Sequence, residues 1–451
     1  MSKHLDTCIC RCSAGSFPSG ASILSHRNQF LRGKIHSAVD AHRRDMENEE
    51  KRGKEMGKYN FDEIVDRHNT SSLKYDFGIE RKGRDDLLPL WVADMDFRLP
   101  QEILDDIKVR VDHGIFGYTD PKYDYKKALK SWFLRRHGFE IEDEWNTVTP
   151  GIVYSIALAI KAYTREGDGV IIQQPVYYPF TETIKLNNRK VVNNQLIYKD
   201  GRYEIDFDDF EEKIKKEKVK LFLLCSPHNP VGRVWKKEEL VRLADICLEN
   251  DVYIFADEIH SDFVYKGYKH TSFMTLDEKY RDKLILGTAP TKTFNIAGLQ
   301  VANVIIPNEA TRQLFRHEND AAGYSQGSVL GMVATASAYN KGEEWLEELK
   351  EYLAGNLDYI RNYLKKNHPE IRLIEPEGTY LIWLDFSGFT TDRRELAHLI
   401  LDEAKLWLDA GIIFGKETAL FERINIASPR KIIEQAMEQL SFAIKNHDRQ
   451  R

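Results

Sequence analysis

The sequence predicts an α/β protein, with a large domain on a mostly parallel sheet and a smaller α+β C-terminal domain. Three observations predict it. The chain has 451 residues, more than a single hydrophobic core usually serves. From about Trp145 onward, short β-branched runs alternate with helical patterns, the order of strand–helix–strand units with right-handed crossovers. After a long helical stretch beginning "EEWLEELKEYL", the texture changes to strands and helices in segregated order.

Taken in order, residues 1–55 differ from the rest. "CICRCSAGSFPSGASILSHRNQF" lacks strong periodicity and "DAHRRDMENEEKRGKEMGK" is nearly all charge, so neither can offset its ordering entropy by burial. This leader is read as disordered. It is rich in Ser and Arg and has no secretory apolar core. Its three cysteines, without nearby histidines, make a poor metal site. Met56 is expected to be the true start. Residues 56–104 are expected to pack on the small domain, residues 105–340 to form the large domain, and residues 341–451 the small one.

Within the large domain, "GIVYSIALAIKAYT" reads as a helix entered through a glycine, and "GVIIQQ" as a buried strand leading to "PVYYPF". "KVVNNQL" is another strand, and "VKLFLLC" runs into "SPHNPVG". "KKEELVRLADICLEN" is an amphipathic helix with a capping-type start. "VYIFAD" and "KLILGT" are the next strands. In the small domain "IRLIEPEGTYLIWLDF" and "FERINIA" read as strands, flanked by the helices "RELAHLILDEAK" and "KIIEQAMEQLSFAIKNH".

Composition excludes some classes. With 42% hydrophobic and 30% charged residues and a net charge of −6, the chain has no basic block in its folded part, so nucleic-acid binding is not implied. No apolar run reaches the length of a spanning helix, and no membrane association is expected. Five cysteines is a low count, and Cys225 and Cys247, which lie in apolar elements, read as buried thiols in a reducing cytoplasm.

In a parallel α/β sheet, ligands gather at the carboxyl ends of the strands. Those ends carry Tyr177, Asn229, Asp257 and Lys292. Each alone reads as an ordinary loop residue. Together they match one cofactor, an aromatic aldehyde bearing a phosphate, a pyridine nitrogen and a phenolic oxygen. The lysine forms a Schiff base, the carboxylate keeps the pyridinium protonated, the amide serves the phenolic oxygen, and the aromatic stacks on the ring. Phosphate needs a helix N-terminus, which "TPGIVYS" offers at Gly151, Ile152 and Val153. The cofactor expected is pyridoxal 5′-phosphate.

The order "TPG…PVYYPF…SPHNPVG…DEIH…APTKTFN…RINIA" resembles the fold-type I pyridoxal-phosphate enzymes of aminotransferase class I/II. "LPLWVADMDF", "HGIFGYT", "LCSPHNPVGRVW", "ADEIHSDFV" and "TKTFNIAGLQ" resemble its cystathionine β-lyase-like C–S lyase branch, of the maltose-regulon modulator type. The resemblance runs from about Tyr59 to His447. It implies Lys292 as the Schiff-base lysine, Asp257 as the pyridine partner, Asn229 as the phenolic-oxygen amide and Tyr177 as the stacking aromatic. It implies Gly151, Ile152 and Thr291 at the phosphate, and His260 in place of a tyrosine frequent three residues after the aspartate. Tyr118 would cross a homodimer interface to the neighbour's phosphate, and Arg423 would grip the substrate α-carboxylate by a bidentate fork. Gln300 stands where many aminotransferases place a phosphate-binding arginine, which implies a weaker clamp.

Blander readings apply elsewhere. Asp257, Glu258 and His260 lie close in sequence, but on a strand end their side chains diverge, so no metal is expected. Cys225 reads as an inert thiol, His228 and His113 as loop hydrogen-bonders, Trp91 and Trp383 as packing, and Asp94 and Asp96 as turn carboxylates near the substrate mouth.

These residues serve transamination and β-elimination equally. The branch resemblance favours a carbon–sulfur β-lyase acting on L-cystathionine or related cysteine thioethers, giving thiol, pyruvate and ammonia. A class I/II aminotransferase, or a regulatory binding protein that modulates a transcription factor, are the alternatives.

Overall fold

The computed structural model describes residues 57–450. From Tyr59 onward they belong to one compact unit. The expected leader, its cysteines and Met56 lie outside the described residues.

The larger sheet has seven strands: β1 Asn146–Thr149, β2 Gly169–Ile172, β3 Lys190–Asn193, β4 Val219–Cys225, β5 Tyr253–Asp257, β6 Leu284–Thr288 and β7 Ala302–Ile305. Their spatial order is β1-β7-β6-β5-β4-β2-β3. The five strands β2 to β6 run parallel to one another, while β7 is antiparallel to both β6 and β1. The sequence carries no signal for β1 or β7: "NTVT" is short and polar, and "ANVI" follows only a one-turn helix and a short 3₁₀ turn after β6.

Alternate residues of the parallel strands enter separate apolar layers. Phe222 and Leu224 of β4 bury on one face, and Leu221, Leu223 and Cys225 on the other. Leu284 and Leu286 of β6 join the first layer, and Ile285 the second. Burial on both faces explains why these strands read as continuous apolar runs.

Helix α1 Gln101–Asp112 spans residue 104, so the chain changes no element where the large domain was expected to begin. Helix α2 Ile152–Tyr163 lies in the second layer through Ile152, Ile156, Ala159 and Ile160. It packs so closely on the sheet that a Cβ at Gly287 of β6 would meet the Phe255 ring at 2.8 Å and Ile152 Cδ1 at 3.3 Å. Helix α3 Lys237–Glu249 starts as expected, with the Lys236 N–H donating to Glu239 Oε2 at 2.7 Å.

After Gly342 comes α4 Glu343–Asn367, which buries Leu346, Leu349, Leu353, Leu357, Ile360 and Leu364 at helical spacing. The second sheet is four-stranded and antiparallel: β8 Arg372–Ile374, β9 Leu381–Asp385, β10 Asp409–Ala410 and β11 Phe421–Asn425, in the order β8-β9-β11-β10. Here "RELAHLILDEAK" is an α-helix only over Arg393–His398 and widens to a π turn over Leu399–Glu403. The helix Arg430–Gln450 closes the chain. Among the described residues, no helix is long and apolar enough to cross a membrane.

Candidate active site

The parallel strands deliver their C-terminal residues to one rim, as the crossover topology requires. A pocket there is lined by Ile152, Val153, Tyr177, Cys225, Asn229, Asp257, His260 and Lys292, with Ala93 from the N-terminal segment. Gly151 is the N-cap of α2, and a Cβ added to it would meet nothing within 4 Å. The first turn of the helix, at Ile152 and Val153, borders the pocket, and its macrodipole favours an anion there.

Lys292 lies in the one-turn helix Pro290–Thr293 that follows β6. Its Nζ donates to the Ala93 carbonyl at 2.8 Å. Burial lowers its pKa to about 8; Asp94 opposes the shift, Arg423 adds to it and Asp257 opposes it. The amine thus has a usable neutral fraction near neutral pH.

Asp257 ends β5 and is buried. The Ile259 N–H donates to its Oδ1 at 3.1 Å. Burial raises its pKa to about 7, against that hydrogen bond; Glu258 adds to the rise and Lys292 opposes it. A carboxyl so placed fits a cationic N–H such as a pyridinium. Glu258 turns away, accepting from the Phe273 N–H at 2.7 Å and lying 3.1 Å from His270 Nε2. His260 is buried with Nδ1 unpartnered, and burial, then Lys292 and Arg423, lower its pKa to about 3. It enters the pocket as a neutral imidazole.

Asn229 is buried, and its Oδ1 accepts from Arg423 Nη1 at 3.0 Å, which leaves its amide nitrogen as the donor to the pocket. Arg423 on β11 joins the site through this contact rather than by lining the pocket itself. Tyr177 packs against Tyr178, with ring centroids 5.6 Å apart. Thr291 is buried beside Lys292. Gln300 is left-handed with φ 52° and ends a short 3₁₀ turn. Tyr118 does not reach this pocket in its own chain and is 96% exposed. Buried acid, amide, lysine and helix N-terminus fit the donor set that pyridoxal phosphate requires.

The bland readings fare unevenly. His228 Nε2 lies 2.9 Å from the Pro175 carbonyl, a loop hydrogen bond. Cys225 is buried, and burial raises its thiol pKa. Trp91 stacks on Trp407 at 4.7 Å, and Trp383 donates to Tyr203. Asp96 is no solvated turn residue: it is buried, 2.7 Å from Lys74, 2.8 Å from Arg67 and hydrogen-bonded to Ser428 at 2.6 Å.

Sequence reasoning missed what holds the site together. Residues 91–96 run past it as a strap whose carbonyls accept side-chain hydrogen bonds from several distant segments. Trp91 O accepts from Arg423, Val92 O and Asp94 O from Asn425, and Met95 O from Asn295. Ala93 O accepts from both Lys292 and the buried Tyr380 hydroxyl, the latter at 3.0 Å. Tyr380 stands in "EGTYLIW" without any local pattern that marks it.

The family model for aminotransferase class I and II matches residues 85–440. Cystathionine beta-lyase PatB of Bacillus subtilis is 40% identical over 385 residues, covering 85% of this chain and 100% of that protein. Protein MalY of Escherichia coli is 33% identical, covering 86% and 99%. The structure of cystalysin from Treponema denticola, which contains pyridoxal 5′-phosphate, superposes with a TM-score of 0.84 at 40% identity, covering 86% of this chain and 99% of that one.

Proposed function

For a chain that belongs to the aminotransferase class I and II family, we propose the activity of a pyridoxal-phosphate-dependent carbon–sulfur β-lyase. Its substrates are L-cystathionine or related cysteine thioethers, released as thiol, pyruvate and ammonia. The observation that carries this reading is the similarity, over the whole of that protein and 85% of this chain, to PatB, a cystathionine beta-lyase.

Bound in the pocket, pyridoxal phosphate supplies an aldehyde for the amine and a ring that accepts the carbanion's electrons. Gly151, Ile152, Val153 and Thr291 hold its phosphate, Tyr177 its ring face, Asn229 and His260 its phenolic side, and Asp257 its ring nitrogen. Arg423 takes the α-carboxylate of the amino-acid substrate and orients its α-hydrogen. Lys292 Nζ, with its pKa near 8, removes that proton as general base. The β-carbon–sulfur bond then breaks with its electron pair on sulfur, and the three-carbon fragment is hydrolysed to pyruvate and ammonia. The strap and the buried Tyr380 fix the Ala93 carbonyl to which the lysine donates.

The test is to incubate the purified protein with L-cystathionine and measure pyruvate. Steady pyruvate release is expected. Amino-group transfer to 2-oxoglutarate without pyruvate would instead make the protein an aminotransferase.

The protein works as a cytoplasmic homodimer with shared sites. The support is an exposed apolar stretch around Tyr118: Val109 is 71% exposed, Ile115 66% and Tyr123 71%. If the Tyr118 hydroxyl serves the partner's phosphate, Tyr118→Phe removes one charge-assisted hydrogen bond, about 1.5–3 kcal/mol. Cofactor affinity is then expected to fall by about one to two powers of ten, read by fluorescence titration of the stripped protein. An active monomer in sedimentation, with unchanged affinity in the variant, would remove the shared site.

A further inference from the structure

Arg423 is 2% exposed, so every N–H of its guanidinium must be accounted for inside the protein. Nη1 donates to Asn229 Oδ1 at 3.0 Å, and Nη2 to Trp91 O at 2.9 Å. Nη2 also donates to the buried carboxylate of Asp409. Nε is buried and has no acceptor. An orphaned donor on a buried cation is costly, and here it marks the edge that a ligand carboxylate can complete.

The pairing with Asp409 is set by backbone register rather than by a chance reach. In the antiparallel pair β10–β11, Asp409 stands directly opposite Arg423, and on the other flank Trp383 of β9 does the same. Side chains directly opposite on antiparallel strands project from the same face. The Phe414 ring lies 4.9 Å from the guanidinium carbon. Carboxylate, tryptophan carbonyl and amide thus take three of the five guanidinium N–H groups and the Phe414 ring lies against it, leaving the Nε–H and one Nη1–H for a ligand.

We propose that Asp409 is a positioning residue for substrate recognition: by holding the Nη2 end of Arg423, it keeps the Nε–H aimed at the α-carboxylate. The inference rests on the reading that Arg423 receives that carboxylate. Charge balance allows Asp409 to stay in place when the substrate arrives. Burial raises the Asp409 pKa, while Arg423 and then Lys82 oppose that rise, so two cations favour its carboxylate form. Glu422, on the opposite face of β11, is pushed up to about 8 by burial and by Asp409, and adds no charge at neutral pH.

Two variants test this. Asp409→Ser leaves a side chain too short to reach Nη2, whereas Asp409→Asn keeps an oxygen acceptor there. With Ser, the KM for L-cystathionine is expected to rise by about tenfold or more while kcat stays within about threefold, the loss of one charge-assisted contact made in substrate binding. A second readout is spectral titration of the holoenzyme with L-alanine against ethylamine, which lacks the carboxylate. The preference for L-alanine should fall by the same factor with Ser and be restored with Asn. Unchanged KM and preference with Ser would overturn the proposal, and so would a lowered KM, which would make Asp409 a competitor for Arg423. Should the Ser variant be insoluble, Asn alone decides, because a tenfold rise in KM there contradicts positioning by an acceptor. Arg423→Gln separates the two readings. If it keeps the preference for L-alanine, the role of Arg423 fails; if only the Ser variant keeps it, the role of Asp409 fails.

Discussion

Replacing Lys292 with alanine is expected to abolish borohydride trapping of the cofactor and to slow turnover by at least about four powers of ten. Loss of a general base alone costs roughly two to four powers of ten, and here the same amine also forms the covalent link to the cofactor. The fold should survive the change. Lys292 Nζ donates only to Ala93 O, and that carbonyl keeps the Tyr380 hydroxyl at 3.0 Å as its donor. No buried acceptor is therefore stranded. Reduction with borohydride, digestion and mass measurement of the labelled peptide check the assignment. A label on a peptide without Lys292 would sink it. Lys74, a fully buried lysine, is already engaged by Asp96 at 2.7 Å.

Much of the fold was legible because the parallel strands bury both faces. "VKLFLLC", "VYIFAD" and "KLILGT" could only be interior strands, and their ends named the rim on which Asn229, Asp257 and Lys292 stand. The local backbone fixes where each of those residues points, so reading them needed no tertiary knowledge. The antiparallel strands β1 and β7 were not legible, because "NTVT" carries no apolar pattern and its pairing with Ala302–Ile305 joins segments more than 150 residues apart. The same physics hid Tyr380, Asp409 and the strap. Tyr380 meets Lys292 only through the Ala93 carbonyl, and Asp409 meets Arg423 only through strand register. Such contacts are made by packing of distant segments, and no periodicity within either segment records them. Asp96 shows the limit from the other side. Its sequence neighbours suggest a turn, yet Lys74, Arg67 and Ser428 converge on it from elsewhere.

Asp257→Asn is expected to lower turnover by about two to three powers of ten, the usual cost of losing one preorganised electrostatic contact to developing charge. The stability of the protein stripped of cofactor should move the other way. Burial raises the Asp257 pKa from 3.8 to about 7, so between these values the folded state holds a proton that the unfolded chain has released. Stability from this group is therefore fully present below about pH 4 and is lost as pH rises through about 7. Asparagine carries no such charge and still accepts from the Ile259 N–H, the bond that Asp257 makes at 3.1 Å. Above pH 7 the stripped Asn variant should melt higher than the stripped parent, by a few kcal/mol at most, and near pH 4 the two should coincide. A bound pyridinium offsets the buried charge, so adding cofactor should stabilise the parent more than the variant at pH 8. Thermal melts of both proteins, stripped and loaded, at pH 4 and pH 8 check each arm. If the stripped variant melts no higher than the parent at pH 8, the carboxyl is not carrying an uncompensated charge, and its assignment to the ring nitrogen loses its physical basis.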